Sequence, residues 1–157
     1  MSRDTVFLRR ALQLAADNDP QQVGGPFGCV IVQDGHIIAE GCNRVLADCD
    51  PTAHAEVVAI RRAGRALGRW SLEGCTLYTS CEPCPMCLAA AYWARVTRIV
   101  FAASREDAAD AGFDDAFLYR EIPLPIDQRQ LPIQRTLEEE GREVFTAWKA
   151  VPGRVLY

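Results

Sequence analysis

Two short stretches hold the residue types most able to do chemistry, His54-Ala55-Glu56 and Pro83-Cys84-Pro85-Met86-Cys87. Cys84 and Cys87 are three apart, a spacing that puts both sulfurs on one face of a helix. The free N–H groups of a helix start favour the thiolate, which is the ligand form of cysteine. His54, one of only two histidines in the chain, supplies a nitrogen. One imidazole and two thiolates make three ligands for Zn²⁺, which prefers four, and a fourth corner left to water marks a catalytic zinc rather than a structural one. Glu56 then completes an enzymatic set. Zinc lowers the pKa of its water to about 7, and a carboxylate beside that water can take its proton and deliver it to a leaving amine.

A second reading of the same residues is a closed structural site. Cys81 could join Cys84, Cys87 and His54 as a fourth ligand, and the C-x-x-C-x-x-C run also echoes iron–sulfur ligation without its fourth cysteine. Against closure, Cys81 follows a predicted strand and belongs to a different local geometry, and Glu56 would have no role. The remaining cysteines, Cys29, Cys42, Cys49 and Cys75, read as small core or loop residues. His36 sits at a predicted hairpin turn and reads as solvated. The open site carries one geometric condition. Residues two apart on a regular helix point about 200° apart, so His54 and Glu56 share a metal only if His54 stands at an irregular helix start.

Elements that would position these residues follow from the pattern. Leu8, Ala11, Leu12 and Ala15 recur at helical spacing, predicting a helix over about 4–17. Asn18-Asp19-Pro20 and Gly24-Gly25-Pro26 break it. Val30-Ile31-Val32 and Ile37-Ile38-Ala39 flank Asp34-Gly35, a hairpin signal. Asp50-Pro51-Thr52 opens a second predicted helix with Val57, Ile60 and Ala63 as its buried stripe. Strands are predicted at residues 75–79 and 98–102, with a third helix from Pro83 to about Arg95 between them. The order α-β-β-α-β-α-β implies crossover connections and helices on the sheet faces. The tail carries Pro123, Pro125 and Pro132, then a helix over about Thr136 to Ala150. Residues 119–133 read as an extended arm.

Composition narrows the function. The chain has 157 residues, the size of one domain, and is 49% hydrophobic and 24% charged, which is globular. With a net charge of −4 and a single lysine, Lys149, it is poorly suited to general nucleic-acid binding. No apolar run approaches the ~18 residues of a membrane span, and the N-terminus leads into an amphipathic stretch rather than a secretory segment. Seven cysteines, an odd number with three clustered, read as metal chemistry in a reducing compartment. The expected location is the cytoplasm.

At its two metal motifs the chain resembles the cytidine deaminase-like superfamily of zinc-dependent nucleobase deaminases, whose signature is H-x-E with P-C-x-x-C. The resemblance runs over nearly the whole chain. It takes in Gly24-Gly25-Pro26-Phe27-Gly28, Asp50-Pro51-Thr52-Ala53-His54-Ala55-Glu56, Thr79-Ser80-Cys81-Glu82-Pro83-Cys84-Pro85-Met86-Cys87, Tyr92-Trp93-Ala94-Arg95 and Ala111-Gly112-Phe113-Asp114-Asp115. The Gly-Phe-Asp-Asp segment and the aromatic end at Tyr157 are similar to the guanine-specific branch.

That resemblance implies an α/β fold, a three-layer α/β/α sandwich with a central mixed sheet of about five strands. It implies one zinc-dependent deaminase domain, 1–157, working as a homodimer that exchanges the C-terminal segment (about 119–157), packing of that segment in cis being the alternative, with a small nucleobase as substrate and no nucleic-acid or membrane partner. The implied reaction is hydrolysis of guanine to xanthine and ammonia, with zinc on His54, Cys84 and Cys87. Glu56 moves the proton and Asp115 assists its second transfer. By motif position Asn43 and Asp115 read the edge of the base, since an amide can donate and accept and a carboxylate can accept from a ring N–H. Phe27, Trp93 and Tyr157 are the candidate flat walls, Tyr157 from the other subunit. Local readings stand beside these: Asn43 as a loop residue bonding nearby backbone, Asp115 as a helix cap (a role Asp114 suits better), Trp93 as core. Guanosine, cytosine, a triazine or a tRNA adenosine are alternative substrates, and a zinc-stabilised binding module is the alternative of another class.

Overall fold

The computed structural model describes residues 2–157, which divide into two units, the first running through Asp115 and the second covering Ala116–Tyr157. In the first unit the elements are α1 (Arg3–Ala16), β1 (Gly28–Gln33), β2 (His36–Cys42), α2 (Ala55–Leu67), β3 (Thr76–Cys81), α3 (Pro85–Trp93), β4 (Arg98–Ala103) and α4 (Arg105–Asp110). The strands form one mixed sheet in the order β2-β1-β3-β4, with β1 antiparallel to both neighbours and β3 parallel to β4.

Alternation along β1 decides the layers. Val30 and Val32 face one side, where with Tyr78 they meet Phe7, Leu8 and Leu14 of α1. Cys29 and Ile31 face the other, where with Leu77 they meet Ala55, Ala59 and Ala63 of α2 and Ala91 of α3. Helices therefore cover both faces, as expected of a three-layer α/β sandwich. The hairpin turns on Asp34 and Gly35, both with positive φ (51° and 79°), the pairing that a tight two-residue loop requires. Across the sheet, the Tyr78 hydroxyl donates to Asp4 at 2.7 Å and Arg98 grips the same carboxylate, pinning the start of α1 over β3 and β4.

The sheet has four strands among the described residues, one fewer than the expected five or so. After β4 the chain turns at once into α4, because Ser104 and Asp107 form a reciprocal capping box. This short helix lies where the sequence suggested only irregular tail. Prolines further along cannot donate to a ladder.

Two predicted helix starts move, and both moves matter to the site. The second helix does not open at Asp50. Asp50 Oδ1 accepts instead from the Thr52 N–H (2.8 Å) and hydroxyl (2.7 Å), closing a local turn, and α2 begins at Ala55 with His54 as its extended N-cap. The third helix starts at Pro85 rather than Pro83, with Cys84 as N-cap at ψ 166°. Pro85 forces this, since a proline excludes the helical region for the residue before it while suiting the first helical position itself.

Gly41 fixes how closely α2 lies on the sheet. A Cβ there would overlap the Ala55 carbonyl oxygen and the Ala59 nitrogen, so only glycine lets the first turn of α2, which carries Glu56, press against β2.

The second unit contains α5 (Ala116–Glu121), a 3₁₀ turn (Ile126–Gln128) and α6 (Glu138–Ala150), the last beginning two residues after the predicted start at Thr136. No residue of this unit is buried, and Leu131, Leu137, Val144, Phe145, Leu156 and Tyr157 are all exposed. Among the described residues of the chain no helix is long and apolar enough to cross a membrane.

Candidate active site

His54, Cys84 and Cys87 come together between the starts of α2 and α3, one ligand atom from each lying within 4.8 Å of the others. His54 Nδ1 is 3.6 Å from the Cys84 sulfur and 3.5 Å from that of Cys87. Ligands at the usual Zn–N and Zn–S lengths on a tetrahedron stand about 3.6 Å apart. The donor set therefore fits zinc in both chemistry and spacing. The helix-face argument for the two cysteines needs correcting, because Cys84 lies outside α3 as its cap and only Cys87 is helical. The condition on His54 is met by the same means: it is the extended cap of α2, so it points differently from a helical residue and Glu56 can approach the same point.

Without metal the thiols share charge. Cys84 is drawn down to about 4, first by the hydrogen bond that the Cys87 thiol donates to it and then by His54. Cys87 is pushed far above the ordinary thiol range as the proton holder of the pair. His54 is raised by its hydrogen bond to Cys84. Zinc needs both sulfurs as thiolates, so binding releases the proton held by Cys87.

Glu56 is buried at 6% exposure. Its Oε1 accepts from the Thr79 hydroxyl at 3.3 Å and its Oε2 from the Cys87 thiol at 3.4 Å. Burial raises its proton affinity above that of an ordinary carboxyl. Cys81 is not in the ligand group. Its sulfur donates to the Ser104 carbonyl at 3.5 Å, and burial, followed by the charge of Glu56, pushes its pKa up to about 11. Among the described residues the group that could hold an ion has three members, His54, Cys84 and Cys87, which is the donor set of the open reading rather than the closed Cys₃His one.

Asn43 is buried just beyond β2. Its Oδ1 accepts from the Val45 N–H at 3.2 Å, the local bond that the sequence left as an alternative, while its Nδ2 makes no hydrogen bond to the described protein. Asp115 stands close enough to Cys84 for that thiolate to raise its pKa, second in effect to burial. Phe27, immediately before β1, packs edge-on against Phe113 with ring centres 4.9 Å apart. Trp93 is not with these residues. It lies at the other end of α3 from Cys84, about 13 Å along the axis at 1.5 Å per residue, around a shallow cavity shared with Ala89, Tyr92 and Arg95. It is also not core, at 67% exposure. Tyr157 belongs to the second unit.

Phe113 and Thr79 are parts of the site that reading residue types alone passes over. Phe113 sat inside the Gly-Phe-Asp-Asp segment, beside Asp115. Thr79 was findable by strand alternation, since it shares a face with Leu77, the face on which α2 packs.

Residues 1–103 match the family described as the cytidine and deoxycytidylate deaminase zinc-binding region, and the chain belongs to that family. Within it, the chain is 53% identical over 149 residues to a guanine deaminase of Bacillus subtilis, covering 95% of each. The X-ray structure of guanine deaminase from Bacillus subtilis superposes with a TM-score of 0.94 at 51% identity, over 100% of this chain and 99% of that one. A tRNA-specific adenosine deaminase of Bacillus subtilis is 40% identical over 103 residues, 66% of this chain and 63% of its own.

Proposed function

We propose that the protein catalyses the zinc-dependent hydrolysis of guanine to xanthine and ammonia. The observation that carries this reading is the extent of the likeness to guanine deaminase, which spans the whole chain with Asp115 and the second unit included, whereas the likeness to tRNA adenosine deaminase covers 66% of it. The residues of the first unit supply the means.

His54, Cys84 and Cys87 hold the zinc, which when bound contributes Lewis acidity and a water of pKa about 7. Asn43 donates from its unpartnered Nδ2 to an acceptor on the base, and the Asp115 carboxylate accepts from a ring N–H. Phe27, backed by Phe113, offers a flat face, and stacking of this kind is worth about 1–3 kcal/mol per base. Glu56 takes the proton of the attacking water as its oxygen bonds to C2. It passes that proton to a ring nitrogen and then serves the departing amine, which leaves as ammonia, with Asp115 assisting the second transfer. Burial suits Glu56 to this, because a carboxyl with raised proton affinity both accepts and returns a proton near neutral pH.

Zinc-loaded protein given guanine, guanosine, adenine, cytosine, cytidine or ammeline in turn is expected to release ammonia fastest from guanine. Ammonia from another of these with none from guanine would keep the chemistry and overturn the substrate.

The second unit supports a homodimer that exchanges its C-terminal segment. Its side chains are nowhere buried, and α6 carries Val144, Phe145 and Trp148 on its exposed surface. Elements that bury no side chain fully are stabilised by another apolar surface, which a second copy supplies. Sedimentation at micromolar concentration is expected to give twice the chain mass, and Phe145→Asp to shift the protein toward monomer. A native monomer, or a Phe145→Asp dimer as tight as the native one, would overturn the arrangement. All seven cysteines are free thiols, which suits the reducing cytoplasm where we place the protein.

A further inference from the structure

We propose that Asn18 is a positioning residue for base recognition, holding together the loop that presents Asn43 and Phe27. The inference rests on the guanine reading of this site. Asn18 follows the end of α1, in a stretch whose sequence reads only as a helix breaker. Its side-chain Nδ2 lies 2.9 Å from the Gly24 carbonyl oxygen, 2.8 Å from that of Gly25 and 2.9 Å from that of Asn43. Only the NH₂ end of an amide can face three carbonyls, so the acceptors themselves fix its orientation. Two protons serve three oxygens, and at least one is shared.

Each of the three tied groups bears on the base-reading side chains. The Asn43 N–H donates to the Phe27 carbonyl at 3.0 Å, and the Phe27 N–H to that of Gly25 at 2.8 Å. Gly24 lies so close to Asn43 that a Cβ would overlap its Oδ1. Gly25 lies beneath the aromatic pair, where an added Cβ would stand 3.0 Å from the Phe113 ring and 3.1 Å from the Phe27 ring. A single amide therefore sets the backbone of Asn43 and, through the two glycines, both the Asn43 amide and the Phe27 face. None of its hydrogen bonds reaches His54, Glu56, Cys84 or Cys87. Loss of Asn18 is expected to loosen the hold on the base while leaving zinc and proton transfer in place.

The test is steady-state kinetics on guanine with zinc content measured on the same samples. In Asn18→Ala the KM is expected to rise by about tenfold with kcat within about threefold of native, the pattern of lost binding rather than lost chemistry. Zinc per chain is expected to be unchanged. Asn18→Asp, equal in shape but turning a carboxylate oxygen toward the carbonyls, is expected to be worse in KM. Asn18→Ser, which keeps one donor, stands in if Asn18→Ala does not fold. In an Asn43→Ala background the Asn18→Ala effect on KM is expected to shrink to below about threefold, because the two act through one contact. A KM within about twofold of native in both primary variants, a joint fall of kcat and zinc content, or full additivity with Asn43→Ala would each overturn the role. A native protein inactive on guanine would instead sink the proposed function.

Discussion

The Glu56→Gln protein is expected to fold, bind zinc as the native protein does, and turn over guanine about 10³–10⁴-fold more slowly. Glutamine has the shape of glutamate, and its Oε1 can still accept from Thr79, now 3.3 Å from Glu56. What it lacks is a site for a proton. General acid–base assistance contributes about 10²–10⁴ in rate, and Glu56 is asked to serve twice, taking the proton from water and giving it up again, which puts the loss in the upper part of that range. KM should move little, since the proposed mechanism gives base recognition to Asn43, Asp115 and Phe27. The melting temperature should hold or rise, because the variant removes a charge from a site only 6% exposed. The checks are kcat by ammonia release, metal content and a thermal melt on one preparation. A folded, zinc-bearing variant within about tenfold of native would mean that another group handles the proton.

That His54, Cys84, Cys87 and Glu56 come together was legible from sequence because their chemistry is carried by residue type and short spacing. Their backbone setting was not. Both ligand-bearing helices start later than the sequence suggests, and both shifts come from competition at the helix start. Asp50 spends its capping oxygen on Thr52, which leaves His54 to begin α2. Pro85 excludes its predecessor from the helix, which makes Cys84 a cap. The result is that His54 and Cys84 are both extended caps reaching inward from two helix starts, with Cys87 and Glu56 contributed from inside the first turns. A spacing rule for residues on a regular helix cannot anticipate this, since two of the four are not on a helix.

Long-range partners were harder still. Thr79 meets Glu56 from another element, where strand alternation gives its face but not its partner, and Asn18 meets Asn43 across a loop, with nothing in the local sequence to announce the contact. Trp93 shows how little closeness in sequence to a motif says of distance, since the length of α3 separates it from Cys84 in the same chain. The fifth strand was implied by the resemblance alone; the residue pattern gave four, the number among the described residues, and after β4 the capping box of Ser104 and Asp107 turns the chain into α4.

Removing zinc with a chelator is expected to abolish guanine turnover, by more than about 10³-fold, while the fold survives. The argument is one of packing. Of the metal ligands only Cys87 is fully buried, and none belongs to the two apolar clusters, which join α1, the sheet, α2 and α3 through residues such as Val30, Ile31, Leu72 and Leu77. Those contacts persist in the apoprotein, so far-UV circular dichroism should be nearly unchanged. The melting temperature should fall all the same, because a ligand bound only by the native state stabilises it in proportion to the logarithm of its concentration over Kd. One more thiol, the partly exposed Cys84, should react with a thiol reagent once the ion is gone, over and above the exposed Cys49, while the buried Cys87 stays protected by the fold. One equivalent of Zn²⁺ per chain should restore both turnover and protection. A closed structural site behaves otherwise, since chelation unfolds a domain whose fold depends on its metal. Unfolding on chelation, or turnover that persists without bound metal, would overturn the catalytic assignment of this site.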